Sequence, residues 1–223
     1  MKEQTYTRVY VIRHGQPDYK FDENGEKLAY GSEIGLSKIG KEQIIELSAR
    51  IPNLDAIYSS TFVRAIETAK IIINQKKLGL KIIEKPNLID IVSKGTIGLP
   101  LDKLSIGEIE SKMSEGDETL EDLERRILPA FKDIFDKERG KTVAVVSHGH
   151  SIRLMALRIL EKNKSELSSI SINKLQSYNY LNPGEAWYIV LDENNQVVDY
   201  KIMARLDTIT PGRRQDVKFN PVF

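Results

Sequence analysis

The amino-acid sequence predicts an α/β fold, a three-layer α/β/α sandwich with a mostly parallel central sheet. Two observations predict it. Short apolar runs alternate with stretches of helical periodicity, in the order strand–helix–strand–helix and later strand–helix. One of these runs, "KTVAVVS" at 141–147, is apolar almost throughout, as expected of a central parallel strand covered on both faces.

The elements follow in chain order. "RVYVI" (8–12) is a short buried strand, closed by the glycine of "HGQP". Residues 20–35 are polar and turn-prone and read as loop. "LSKIGKEQIIELSARI" (36–51) is a helix, with Ser37 as N-cap and Ile44, Leu47 and Ile51 at helical spacing. "DAIYSS" (55–60) is the second strand. "TFVRAIETAKIII" (61–73) is a helix that places Phe62, Ala65, Ile66, Ala69 and Ile73 on one face. "LKII" (80–83) is the third strand. Residues 86–116 carry Pro86, Gly95, Gly98, Pro100, Gly107 and Gly116, and read as an inserted, cap-like excursion over the sheet. "DETLEDLERRILPAFKDIF" (117–135) is a helix with Leu120, Leu123, Ile127, Phe131 and Ile134 in register and an acidic first turn suited to the helix dipole. The strand at 141–147 follows, then a helix over "HSIRLMALRIL" (150–160). "DENN" between two β-rich runs is a hairpin turn, and the hairpin adds edge strands. An irregular tail covers 204–223. The expectation is one domain over 1–223.

Composition narrows the function. The 33 basic and 32 acidic side chains nearly cancel, so nothing points to nucleic acid or an anionic membrane as partner. The chain has no cysteine, which excludes disulfides, zinc–thiolate sites, iron–sulfur clusters and thiol catalysis. The opening "MKEQTYTRVY" lacks the apolar core of a signal peptide, and no apolar run is long enough to span a membrane; a cytoplasmic location is the expectation.

Three strands end in chemistry-bearing residues, at the edge where such sheets bind ligands. The first ends in Arg13-His14-Gly15. The second ends in Ser59-Ser60, with Arg64 a helical turn further on. The strand at 141–147 ends in Ser147-His148-Gly149. One histidine at a strand end is more often a hydrogen-bonded structural residue, and an arginine on a first helical turn is more often solvated. Two His-Gly strand ends and one arginine converging on a single sheet edge are harder to explain as packing. Arginine offers a planar fork of donors for phosphate oxygens. Neutral histidine is a nucleophile. Such a set suits phosphoryl transfer, where positioning and charge stabilisation do most of the catalysis. A leaving alkoxide also needs a proton, so a carboxylic acid belongs nearby.

These motifs resemble the histidine phosphatase superfamily, which includes the cofactor-dependent phosphoglycerate mutases. The resemblance rests on "VIRHGQ", "YSSTFVRAIETA" and "VVSHG", with "GLSKIGKEQ" and "GDETLEDLERRI" in support, over about residues 8–160. Ser59, Ser60, Arg64, Ala65, Thr68 and Ala69 match the family's middle motif, whereas Thr61 and Phe62 replace its Pro-Leu. The resemblance implies a phosphoglycerate mutase-like fold. It implies His14 as the phosphorylated nucleophile, and Arg13, Arg64 and His148 as ligands of the phosphoryl group. It also implies phosphate or substrate contacts from Gln16, Ser60 and the Gly149 amide. "PNLID" places Asp90 where the family carries its acid, with Glu84 and Glu118 as alternatives. The family's usual Ser or Thr and Asn after the histidine are replaced by Pro17 and Lys20; Lys20 is either a compensating charge or a solvated loop lysine.

The mutases' longer signatures are missing from "QPDYKFDENGEKLAYGSEIGLS" and "IDIVSKGTIGLPL", so the resemblance favours the phosphatase branch over a mutase. The expectation is a phosphomonoesterase acting on a small phosphorylated metabolite, with no cofactor and no metal. Neither nucleic acid nor membrane is expected as partner, and a homodimer is left open. Two other classes stay in view: a metallohydrolase using His148 and His150 as a ligand pair, and an inactive module that binds a phosphorylated ligand.

Overall fold

The computed structural model describes residues 5–28, 31–91, 97, 117–160 and 181–205. Its six-stranded sheet runs β3-β2-β4-β1-β5-β6. The strands are β1 (Thr7–Arg13), β2 (Ala56–Ser59), β3 (Ile82–Glu84), β4 (Thr142–Ser147), β5 (Ala186–Leu191) and β6 (Val197–Met203). The helices are α1 (Lys38–Arg50), α2 (Val63–Gln75), α3 (Leu120–Lys137) and α4 (Gly149–Met155). The first four strands pair in parallel, and β5 and β6 add an antiparallel edge. The α/β architecture expected from the alternating pattern is present, with the hairpin at the edge.

Alternation along each strand divides the core into two. Val9 and Val11 of β1, with Val143 and Val145 of β4, pack on one face with Leu123, Ile127, Phe131 and Ile134 of α3. Tyr10 and Ile12, with Ala144 and Val146, pack on the other face with Ile44 and Leu47 of α1 and Ala65, Ala69 and Ile72 of α2. Both faces are covered, which is why these strands are apolar without interruption.

Local signals set most of the boundaries. Ser37 caps α1, its hydroxyl accepting from the Gly40 amide at 3.0 Å. Thr119 caps α3 through a capping box with Asp122, which puts the helix start three residues later than the acidic run suggested. In α2 the helix begins at Val63 and the buried face is Arg64, Ala65, Thr68, Ala69 and Ile72. Ile66 and Ile73, expected in the core, are only partly buried. The face is turned because Arg64 and Thr68 are drawn inward by polar contacts that apolar periodicity does not register. β3 lies at 82–84 rather than 80–83. The helix expected over 150–160 begins at Gly149 and widens into a π-helical turn over Ala156–Leu160. Of the segment 86–116, only a 3₁₀ turn at Pro86–Leu88, residues 89–91 and residue 97 fall within the described residues; of the tail, only 204 and 205 do. Among the described residues no helix is long and apolar enough to cross a membrane.

The turned face of α2 has a measurable consequence. Ile72→Ala should destabilise the fold by about 2–5 kcal/mol, as fully buried isoleucines do. Ile73→Ala should cost clearly less, both read from urea unfolding.

Candidate active site

The register of the central strands assembles the site. Arg13 on β1 pairs with Ser147 on β4, so the next residues, His14 and His148, leave the sheet side by side. Their ring centroids are 5.0 Å apart. Ser59 on β2 pairs with Val146, and the Ser60 amide donates to the Val146 carbonyl at 3.0 Å, which puts Ser60 at the same edge. Arg64 reaches the cluster from the first turn of α2.

His14 is buried and held from both sides. Its Nδ1 lies 2.8 Å from the Gly15 carbonyl, and Arg64 Nε donates to its Nε2 at 3.2 Å. A guanidinium N–H can only donate, so Nε2 carries a lone pair; Nδ1, facing a carbonyl, carries the proton. Burial holds the imidazole well below its ordinary pKa, and the adjacent His148, Arg64 and Arg13 push the same way. His14 is therefore a neutral imidazole with an unprotonated Nε2.

Arg64 also donates from Nη1 to the Gly31 carbonyl at 2.9 Å, and its guanidinium lies 4.9 Å from the Phe62 ring centroid. The same ring meets His148 edge-on at 5.0 Å. Phe62, a departure from the family pattern, thus packs against both site residues. Arg13 donates from Nη1 to the Leu181 carbonyl at 2.7 Å, and its guanidinium lies over Gly149, where an added Cβ would stand 3.4 Å from Cζ. His148 is fully buried. Burial first, then Arg64 and Arg13, lower its pKa to about 3 against the opposing charge of Asp90. Its Nε2 lies 2.7 Å from Ser60 Oγ. Ser60, expected at the substrate, gives its hydroxyl to this histidine and acts as its orienter.

Glycine at 15 answers to packing rather than to a special dihedral. A Cβ there would come within 2.4 Å of the Gly40 carbonyl oxygen, and one on Gly40 within 2.1 Å of the Gln16 carbonyl oxygen. The loop after β1 and the first turn of α1 touch backbone to backbone. Thr68 Oγ1 accepts from the Gly15 amide at 3.2 Å, and Gln43 Oε1 accepts from the Gln16 amide at 2.9 Å. Gln16 enters this frame through its main chain. Among the described residues its side chain makes no hydrogen bond with the cluster. Lys20 is exposed.

Asp90 approaches from beyond the 3₁₀ turn. Its side chain keeps 18 % of its surface exposed, and its carboxylate lies 3.4 Å from His150 Nδ1. Burial opposes its ionisation, but His150 and then His148 and Arg64 hold the carboxyl well below the usual range. Four main-chain carbonyls fix the turn. Ser147 Oγ donates to Leu88 at 2.7 Å and Ser151 Oγ to Ile89 at 2.7 Å. Arg126 donates to Asn87 and Ile89 at 2.9 and 2.8 Å and to the Asp90 carbonyl at 3.1 Å. The same guanidinium is paired with Glu118, so that alternative acid is a structural ion pair. Glu84, the other alternative, is exposed at the end of β3.

His150 sits on the first turn of α4 with its ring toward Asp90. No spacing signal could have found this, nor the role of Arg126, because both depend on where the 86–90 turn docks. Among the described residues no group of three His, Asp or Glu side chains is arranged to hold a metal ion.

A family model described as "Histidine phosphatase superfamily (branch 1)" matches residues 9–195. The chain belongs to the histidine phosphatase superfamily. Its relatives carry more than one activity in their names. A 2,3-bisphosphoglycerate-dependent phosphoglycerate mutase of Cytophaga hutchinsonii is 25% identical over 181 residues, 74% of this chain and 82% of the relative. A metal-independent phosphoserine phosphatase of Arabidopsis thaliana is 26% identical over 187 residues, 77% of this chain and 76% of the relative. Among solved structures, Bacillus stearothermophilus YhfR superposes with a TM-score of 0.69 at 22% identity, covering 86% of this chain and 94% of that one. This agreement supports the phosphoglycerate mutase-like fold.

The depressed histidines make stability pH-dependent. The unfolded chain takes up protons on these side chains near their ordinary value of 6.5, whereas folded His148 resists down to about 3. In that window the unfolded state binds more protons, so stability is full above about 6.5 and falls as the pH is lowered, by up to about 1.4 kcal/mol per pH unit for each such group. Unfolding midpoints measured from pH 7.5 to 4 should show this slope, and His148→Gln should flatten it.

Proposed function

We propose that this protein is a phosphomonoesterase that hydrolyses a small phosphorylated metabolite through a phosphohistidine on His14. The observation that carries the reading is the neutral imidazole with its bare Nε2 held against Arg64. An incoming phosphoryl dianion takes over the Arg64 donor and receives further donors from Arg13 and His148, which frees the Nε2 lone pair for in-line attack. The P–O bond to the leaving group breaks, and that oxygen takes a proton delivered through Asp90. Water then attacks the phosphohistidine, the P–N bond breaks, and Asp90 accepts the proton of the water. Membership of the superfamily and the name of the Arabidopsis relative support this reading. The missing mutase signatures between His14 and α1 support the phosphatase over the mutase.

The test is a screen of phosphorylated metabolites without added metal and in chelator, including 3-phosphoglycerate with and without 2,3-bisphosphoglycerate. Hydrolysis that needs no bisphosphoglycerate is expected; interconversion of phosphoglycerates that depends on it would make this a mutase. His14→Ala should abolish turnover. Asp90→Asn should slow alkyl phosphates by about 10²–10⁴-fold, the usual worth of general acid catalysis, and aryl phosphates with good leaving groups far less.

A further inference from the structure

We infer that His150 is a positioning residue of the reaction, and that Asp90 and His150 form a proton-relay pair holding the single proton used in both chemical steps. The inference rests on the phosphatase reading above and assigns where its proton is stored.

The geometry is specific. His150 Nδ1 lies 3.4 Å from both carboxylate oxygens of Asp90, so it faces the carboxylate head-on rather than one edge. His150 retains 33% of its side-chain exposure and Asp90 18%, so the pair links the buried cluster to solvent. Among the described residues, the other groups of the site are less suited to store the proton. Arg13 and Arg64 remain charged in proteins. His148 Nε2 is occupied with Ser60, and His14 is the attacking group. Among the described residues, the charged and titratable groups around Asp90 are His150 on α4, His148 at the end of β4, Arg64 on α2, and Arg126 on α3, which binds the Asp90 main chain and is paired with Glu118.

Asp90 alone is poorly suited to donate a proton. With burial opposing it, the neighbouring His150, His148 and Arg64 still keep its carboxyl ionised in the empty site. The His150 ring stands at the carboxylate, where its Nδ1 can carry a proton to Asp90 or take one back. Held as a pair, carboxylate and imidazolium carry one proton with no net charge. A substrate dianion beside Asp90 raises the carboxylate's affinity for that proton.

The steps balance. In the first, His14 Nε2 bonds to phosphorus and the ester P–O bond breaks; the pair's one proton passes from His150 Nδ1 to Asp90 and from Asp90 to the leaving oxygen. The products are the alcohol, a phosphohistidine that still carries its Nδ1 proton, and a pair left as carboxylate and neutral imidazole. In the second step, water bonds to phosphorus and the P–N bond breaks. The water proton passes to Asp90 and on to His150, leaving monohydrogen phosphate, neutral His14 and the reloaded pair.

The experiment compares wild type, His150→Gln, Asp90→Asn and the double variant, each on an alkyl phosphate and on p-nitrophenyl phosphate, across pH 4.5–9. Circular dichroism melts confirm folding, with His150→Asn replacing His150→Gln if the latter melts early. For the alkyl ester, His150→Gln should lower kcat about tenfold or more at neutral pH and move the alkaline limb to lower pH by at least about one unit, toward carboxyl values. The aryl ester should change less than about threefold. The double variant should be no slower than Asp90→Asn, as members of one unit are not additive. Equal slowing of both esters, an unmoved alkaline limb, or additive losses would overturn the relay while leaving His14 chemistry intact. A wild-type protein that hydrolyses neither ester would overturn the phosphatase reading, and the relay with it.

Discussion

The hydrogen bond from Arg64 Nε to His14 Nε2 is the interaction on which the site depends. It fixes the tautomer of a buried imidazole, and it does so with a group that phosphate itself attracts. The same guanidinium therefore serves two states. In the structure it satisfies a lone pair that would otherwise be buried without a partner, and in the proposed reaction it becomes a phosphate ligand. In the same cluster His148 Nδ1 is buried without a hydrogen-bond partner among the described residues.

That hydrogen bond is a product of the sheet. Pairing of Arg13 with Ser147 brings two histidines from distant parts of the sequence to 5.0 Å. Arg64 reaches them because α2 turns a polar stripe, Arg64 and Thr68, toward the strand ends instead of a fully apolar one. Thr68 accepts from the Gly15 amide and donates back to the Arg64 carbonyl at 2.8 Å, tying nucleophile loop and helix together. The backbone contact between Gly15 and Gly40 closes the frame. Each constraint is short-range, and together they leave the His14 ring little freedom, which is what in-line attack requires.

The proton side of the site is built differently. The phosphate cluster grows from strand ends, whereas Asp90 hangs on a short turn fastened through its carbonyls by Arg126, Ser147 and Ser151. Strand ends announce themselves in sequence: His14 and His148 each follow a buried apolar run and precede glycine, and their meeting was legible from that pattern. Asp90 was proposed from its resemblance to the family motif, and its place beside His150 was not legible. His150 and Arg126 were not legible, because no periodicity states where a loop docks. Ser60 and Gln16 were read as substrate contacts from the resemblance; the contacts to His148 from Ser60 Oγ and to Gln43 from the Gln16 amide were not legible. The shift from Ile73 to Ile72 has the same origin, since an apolar moment cannot see that buried Arg64 and Thr68 belong to the inward face.

The central claim is that His14 attacks through Nε2. Its most direct test is to trap the intermediate: brief reaction with an aryl phosphate, alkaline quench, and mass spectrometry with phosphorus NMR to locate the phosphoryl group. The account predicts phosphate on His14, on Nε2, at a rate competent for turnover. Phosphate on His148, or on Nδ1 of His14, or hydrolysis with no phosphoenzyme formed, would contradict it.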